Sequence, residues 1–242
     1  MEILRTLTFL IGGFVAALYA SSVGGMAFIV MPLLLFFGLP IKEAIGTGRL
    51  VALAMSGVAL LQYSRHEKIH HKTAIPLAIL FSVISYFGTF ILKYLTDTEM
   101  KYLAVGVMLA ALFLNAFSKK IRFIGKKNIV VVAIFTILVG IYMGAFGMGA
   151  GTILIFAPIM LGFTFREAIG INQSMIFLSC LVTSWVFFKE GLIDWTFAAP
   201  LILGVSAGSW VGIGWSMEKG DKYIKVLIYI VLIASIIQLL VS

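Results

Sequence analysis

The sequence predicts an all-α polytopic membrane protein made of two homologous repeats, each with four helical elements and each starting on a glycine-broken helix. Three observations carry that prediction. The chain of 242 residues is 62% hydrophobic and only 12% charged, with a mean hydropathy of +1.12, whereas soluble domains carry about 25% charged residues. Its charges bound eight charge-free runs, most of them close to the roughly 17–25 residues of a spanning helix. The second half echoes the first at an offset of 124 residues. The expected location is the cell membrane, crossed several times, with the lipid bilayer as the main partner.

In chain order, the first run covers 6–41. It is too long for one helix and is interrupted at Ser22-Val23-Gly24-Gly25. Because it continues far beyond the roughly 7–15 apolar residues of a cleavable signal, it is expected to remain in the membrane domain. Runs 50–64, 73–92 and 102–118 each fit one span, the first of them extended backwards through Gly46 and Arg49. A basic linker at 119–127, with Lys119, Lys120, Arg122, Lys126 and Lys127, then separates a first repeat, 1–118, from a second, 128–242. Run 128–165 is again too long and is broken within Gly144-Ala145-Phe146-Gly147-Met148-Gly149-Ala150-Gly151. Runs 168–188, 195–217 and 226–242 complete the second repeat. Pro32 and Pro158 follow the two glycine clusters and, with Gly147, are expected to break the helices there. The one cysteine, Cys180, excludes an intrachain disulfide and a cysteine metal cluster, and in an apolar run it reads as a buried hydrophobe.

The duplication rests on matches in register. Glu43-Ala44-Ile45-Gly46 returns as Glu167-Ala168-Ile169-Gly170, and Pro76, Ser82, Ser85 and Gly88 return as Pro200, Ser206, Ser209 and Gly212. With small gaps, Gly25, Ile29 and Pro32 match Gly151, Ile155 and Pro158. Two topologies are open. Four full spans per half would make the repeats parallel; a re-entrant glycine-broken hairpin plus three spans would make them inverted. Basic residues favour the cytoplasmic side. The inverted arrangement places 12 of the 18 lysines and arginines inside and 6 outside, against 10 and 8 for the parallel one, so the inverted arrangement is expected. The net charge of +8 is then accounted for by short loops and calls for no nucleic acid.

The two glycine motifs, S-V-G-G-M-A-F-I-V-M-P at 22–32 and G-M-G-A-G-T-I-L-I-F-A-P at 147–158, resemble the G-x-G-G-G…P signatures of the sulfite exporter TauE/SafE family. The resemblance extends over essentially the whole chain. It implies secondary transport of small sulfur-containing anions such as sulfite, sulfoacetate and related organosulfonates. The first copy departs from the pattern at Ser22 and Met26, and in the second Ala150 interrupts the glycines.

Physical chemistry points to an anion site on its own terms. Non-helical backbone at membrane depth survives only where it is buried in protein or lines a water-filled cavity, and paired broken segments point to a transporter's binding site. A helix restarting after such a break presents N–H groups and the positive end of its dipole. Gly24, Gly25, Gly149 and Gly151 are therefore candidate substrate contacts, against the alternative of close helix packing through small residues. Arg49 lies in an otherwise apolar segment, where an ionisable residue is a functional candidate. Its planar fork suits an oxyanion, although an arginine can also snorkel from a helix end. The offset sets Gln173 opposite it as a neutral donor, with Thr47 and Asn172 as secondary candidates.

All three histidines fall in residues 64–72, where HEKIH matches the zinc-protease pattern H-E-x-x-H. The stretch sits between two spans among basic neighbours, its repeat equivalent Glu190-Gly191-Leu192-Ile193-Asp194 has no histidine, and no third ligand motif accompanies it. It reads as a basic loop, and no metal, cofactor or catalytic residue is expected. Glu43 and Glu167 read as helix-start acids that favour the dipole. A proton or sodium ion remains open as the coupling ion, and a homo-oligomer remains open as well. The alternative functions are an uncoupled anion channel and, more remotely, a membrane metalloenzyme built on HEKIH.

Overall fold

The computed structural model describes residues 2–67, 69–96, 98–99, 102, 106, 129–147 and 149–219. The linker at 119–127, the run 226–242 and most of the run 102–118 lie outside the described residues. What is described is helical, with no strand among those residues. The first half of the chain supplies α1 (Glu2–Val23), α2 (Ala27–Phe36), α3 (Ile41–His66) and α4 (His71–Ile91). The second supplies α5 (Ile129–Ala145), α6 (Ala150–Leu154), α7 (Phe156–Met160), α8 (Phe165–Lys189) and α9 (Trp195–Lys219). Among the described residues, α3, α4, α8 and α9 are long and apolar enough to cross a membrane. Their outer faces agree: Phe87, Leu181, Trp185 and Leu203 are exposed, as lipid-facing side chains must be.

Helix boundaries follow local chemistry. The chain leaves α1 at Gly24 and Gly25, both in the left-handed region with φ of +77° and +90°, a conformation glycine adopts without a Cβ penalty. The second break uses Gly147 (φ +72°) and Gly149 (φ +68°) in the same way. Proline acts differently in the two copies. Pro32 lies inside α2, which runs through it to Phe36, so it does not break the helix as the sequence had suggested; the glycines before it do. Pro158 has no N–H for the carbonyl of Leu154, and the interruption at Ile155 between α6 and α7 falls there. At the start of α8, Thr164 and Glu167 form a reciprocal capping box, with Thr164 N donating to Glu167 Oε2 at 2.8 Å and Glu167 N donating to Thr164 Oγ1 at 3.3 Å.

The helices pack in the order α1, α9, α3, α8, α4, α5, a row that reads the same when the halves are exchanged. Each repeat's first helix thus lies on the other repeat's last described one. In both pairs glycine permits backbone contact: Gly212 of α9 meets the carbonyl of Leu18, and Gly88 of α4 meets the carbonyl of Ile141. The pairs run parallel, since Gly204, Gly208 and Gly212 climb past Leu10, Phe14 and Leu18 in the same sense. The central pair runs the other way. Gly46 of α3 meets Leu192 just beyond α8, Gly57 meets Phe177, and the Tyr63 hydroxyl donates to the carbonyl of Arg166 at 2.9 Å.

Both glycine-broken segments fold back on themselves. Phe37, beyond the end of α2, returns to Phe9 near the start of α1, their rings 4.9 Å apart. Phe163, beyond α7, comes back to His70 at the start of α4, ring centroids 5.1 Å apart. One end of the bundle therefore gathers the α3–α4 turn and the start of α8, with Glu67 and Arg166 3.8 Å apart. The other gathers the starts of α1, α3 and α9, where Arg5 sits 5.4 Å over the ring of Phe197.

Candidate functional site

The tips of the two hairpins meet at the centre of the bundle. A Cβ on Gly24 would fall 2.5 Å from the carbonyl carbon of Gly151, so the backbones touch and only glycine fits. Around this contact, α3 and α8 each insert polar side chains. Arg49, only 3% exposed, donates from Nη2 to the carbonyl of Gly144 at 3.3 Å. Gln173 donates from Nε2 to the carbonyl of Ser21. Both carbonyls belong to the last turn of a hairpin's first helix, where helices leave acceptors without intrahelical partners. The equivalence read from the 124-residue offset thus has a geometric counterpart: each repeat's central helix caps the broken helix of the other. Asn172 bonds within its own half of the chain, donating from Nδ2 to the carbonyl of Gly151 in the first turn of α6 at 3.2 Å.

Beside the tips lies a cavity of about 40 Å³ whose lining includes Gly24, Gly25, Gly48, Arg49, Gly147 and Gly151. On the same measure one water needs roughly 10–15 Å³, so the space has room for about three waters. Apolar walls from Met31, Met55, Met143, Phe146 and Ile176 surround it. The guanidinium of Arg49 stands against Gly147, where a Cβ would lie 2.5 Å from Cζ. Burial leaves several polar atoms without a partner here: Arg49 Nε, Thr152 Oγ1, Asn172 Oδ1 and Gln173 Oε1. An unmet polar group of this kind costs about 1–3 kcal/mol.

Of the residues singled out in the sequence, Gly24, Gly25, Arg49, Gly147 and Gly151 line this cavity. Asn172 and Gln173 stand behind it and hold the hairpins, while Gly149 packs on the ring of Phe28. Thr47 is elsewhere. Its hydroxyl accepts from the backbone N–H of Asp194 at 3.0 Å, fastening α3 to the α8–α9 turn. Pro32 and Pro158 are buried in the hairpins' second helices. Sequence reasoning missed Ser21, Gly48, Gly144 and Thr152. Only Thr152 carried a signal, as a polar residue directly after Gly151 in an apolar run; the others act through backbone or through lack of a side chain. Cys180 is buried in α8, as its apolar surroundings predicted.

The HEKIH stretch spans a chain reversal. α3 ends at His66, Glu67 is extended at φ −141° and ψ 153°, and His70 precedes α4. A zinc-protease pair needs both histidines on one helical face. Here His66 Nδ1 is 3.0 Å from the carbonyl of Gln62, and His70 Nε2 is 3.0 Å from Glu167 Oε1. No group of three metal-ligating side chains occurs among the described residues. Replacing His66 and His70 together with alanine should leave flux nearly unchanged, because the His70–Glu167 pair is exposed and solvent screens it. Complete loss of flux at normal membrane abundance would contradict this.

Comparison with known proteins agrees with this architecture. The family model described as "Sulfite exporter TauE/SafE" matches residues 9–239. A "Probable membrane transporter protein ORF9" of a Sinorhizobium species is 29% identical over 235 residues, covering 95% of this chain and 90% of the relative. A "Probable membrane transporter protein" of Haemophilus influenzae is 28% identical over 223 residues, covering 90% and 88%. A "Probable membrane transporter protein YdhB" of Bacillus subtilis is 27% identical over 220 residues, covering 84% and 85%. No solved structure matches the chain.

Proposed function

The chain belongs to the sulfite exporter TauE/SafE family, and from that premise we propose that this membrane transporter carries a small sulfur-containing anion, sulfite or an organosulfonate, through the cavity where its two hairpin tips meet. The observation that carries the reading is Arg49, a buried arginine forming part of the cavity wall beside both glycine breaks. In a low-dielectric site a fixed positive charge attracts an anion far more strongly than it would in water. The planar fork still has donors directed away from Gly144, and Nε has no partner. Residues Met26 and Ala27, at the start of α2, also line the cavity, which brings the positive end of a ten-residue helix to the same space.

The hairpins are read as re-entrant and the halves as inverted repeats about an axis in the membrane plane. Equivalent helices α3 and α8 run antiparallel, and Arg166 lies at the end of the bundle that also holds Arg65. We assign that end to the cytoplasm by its basic residues, Arg65 and Arg166. Movement of one hairpin against the other would then expose the cavity to alternate sides.

A melting-temperature screen of the purified protein against sulfite, sulfate, thiosulfate, sulfoacetate and taurine, followed by flux in liposomes, tests the assignment. Stabilisation and saturable flux of a sulfur oxyanion or sulfonate are expected. Conductance that simply follows voltage would make the protein an anion channel, and no effect from any of these anions would refute the substrate class.

A further inference from the structure

We propose that a monovalent alkali cation binds at the end of α1, held by Asn172 Oδ1, Gln173 Oε1 and Thr152 Oγ1, and that it occupies the electrostatic place which Arg49 fills in the other repeat. The inference rests on the anion reading only for its biological meaning, namely that the cation is the coupling ion.

Its basis is a break in the pseudo-symmetry. Both α1 and α5 end inside the bundle, and a helix end carries roughly half a negative charge from its unpaired carbonyls. At α5 that charge meets the guanidinium of Arg49, bonded to the Gly144 carbonyl. At α1 the equivalent position is Gln173, bonded to the Ser21 carbonyl but neutral. One buried negative pole is neutralised by the chain, and its counterpart is not.

Where the end of α1 meets the start of α6, with Gly24 against Gly151 and Gly25 against Thr152, the side-chain atoms left over on Gln173, Asn172 and Thr152 are all oxygens. The amide nitrogens of Asn172 and Gln173 must face the carbonyls of Gly151 and Ser21, because only nitrogen can donate to them. That fixes Oδ1 and Oε1 as acceptors pointing elsewhere, and both are fully buried without a donor. Thr152 Oγ1, likewise buried and unpartnered, sits against Gly25, where a Cβ would lie 2.5 Å from it. Gly25 follows the end of α1 by two residues. In transporters, unwound backbone carbonyls and the carbonyl ends of half-helices coordinate sodium ions, and buried side-chain oxygens beside such an end add further oxygen donors of the same kind. A cation here would also sit close to the anion in the adjacent cavity, so each would favour binding of the other.

The test uses purified full-length protein with no sulfur anion present, at constant ionic strength with chloride as the common anion. Sodium, potassium and choline are exchanged, and melting temperature is read. In the wild type, an alkali cation should raise it with saturation, as expected for a ligand that binds the folded state. Asn172→Ala and Thr152→Val should lose that rise. Gln173→Arg, which builds a fixed charge at the end of α1, should melt independently of the alkali cation. Should Gln173→Arg fail to fold, the Asn172→Ala and Thr152→Val comparisons decide alone. Equal melting in sodium, potassium and choline, as a water-filled gap or a proton-coupled protein would give, overturns the proposal. So does a full cation response in Asn172→Ala. Failure of the sulfur-anion reading would leave the cation response intact, so the two can fail separately.

Discussion

Gly24→Val is expected to abolish transport. Two separate effects act at this position. The backbone is left-handed, φ +77°, and holding a branched residue there costs on the order of 1–3 kcal/mol. The new side chain would also enter the backbone of Gly151, whose carbonyl carbon and Cα lie 2.5 and 2.7 Å from the Cβ position. Backbone of a packed hairpin tip cannot swing aside as a flexible side chain can, so the tips must separate and the cavity between them must change shape. Gly38 provides the control. It shares the left-handed conformation, φ +85°, but nothing lies within 4 Å of its Cβ position. Gly38→Ala therefore carries the conformational cost without the collision and should retain most of the flux. Liposome flux per folded protein is the measurement. Equal flux from Gly24→Val and Gly38→Ala would show that the meeting of the tips does not matter for transport.

Arg49→Gln should weaken anion binding about ten- to hundredfold, corresponding to roughly 1.5–3 kcal/mol for a lost charge-assisted contact. The structure makes this substitution informative, because Gln173 already performs the capping task at the equivalent carbonyl. A glutamine at position 49 can hold Gly144 in the same way, so helix capping is kept and charge alone is removed. Arg49→Lys keeps charge but loses the planar fork, and a smaller loss is expected. Dissociation constants for sulfite, with melting temperatures as a check on folding, separate the cases. Wild-type affinity in Arg49→Gln would leave Arg49 as a helix cap without a substrate role.

Much of this arrangement was legible before any coordinates. Glu43 and Glu167 set a register that makes Arg49 equivalent to Gln173, and those two residues do matching jobs on opposite hairpins. The glycine clusters marked both breaks, because a left-handed backbone in an apolar run leaves glycine as its trace. Less was legible where an effect is tertiary. Thr47 shares a short segment with Arg49, yet its hydroxyl serves Asp194, 147 residues away. Pro32 resembled a break because proline forfeits one bond, but inside a packed bundle neighbouring groups can satisfy the carbonyl it frees. The gapped match of Gly25 with Gly151 also missed how the tips interlock: Gly24 meets Gly151, and Gly147 meets the guanidinium of the opposite repeat. Ser21 and Gly144 contribute through carbonyls, which every residue has, so no side-chain pattern could have drawn them out.

The cross-capping has a consequence for how the protein is made. Ser21 waits for Gln173, 152 residues further along the chain, whereas Gly144 waits for Arg49, which emerges from the ribosome first. During synthesis the leading hairpin precedes its cap, and the Ser21 carbonyl lacks that partner until residue 173 is made. The trailing hairpin finds its cap already in place. Each half thus takes a helix cap from the other. Loss of the last third of the chain would leave the Ser21 carbonyl without the donor that Gln173 provides.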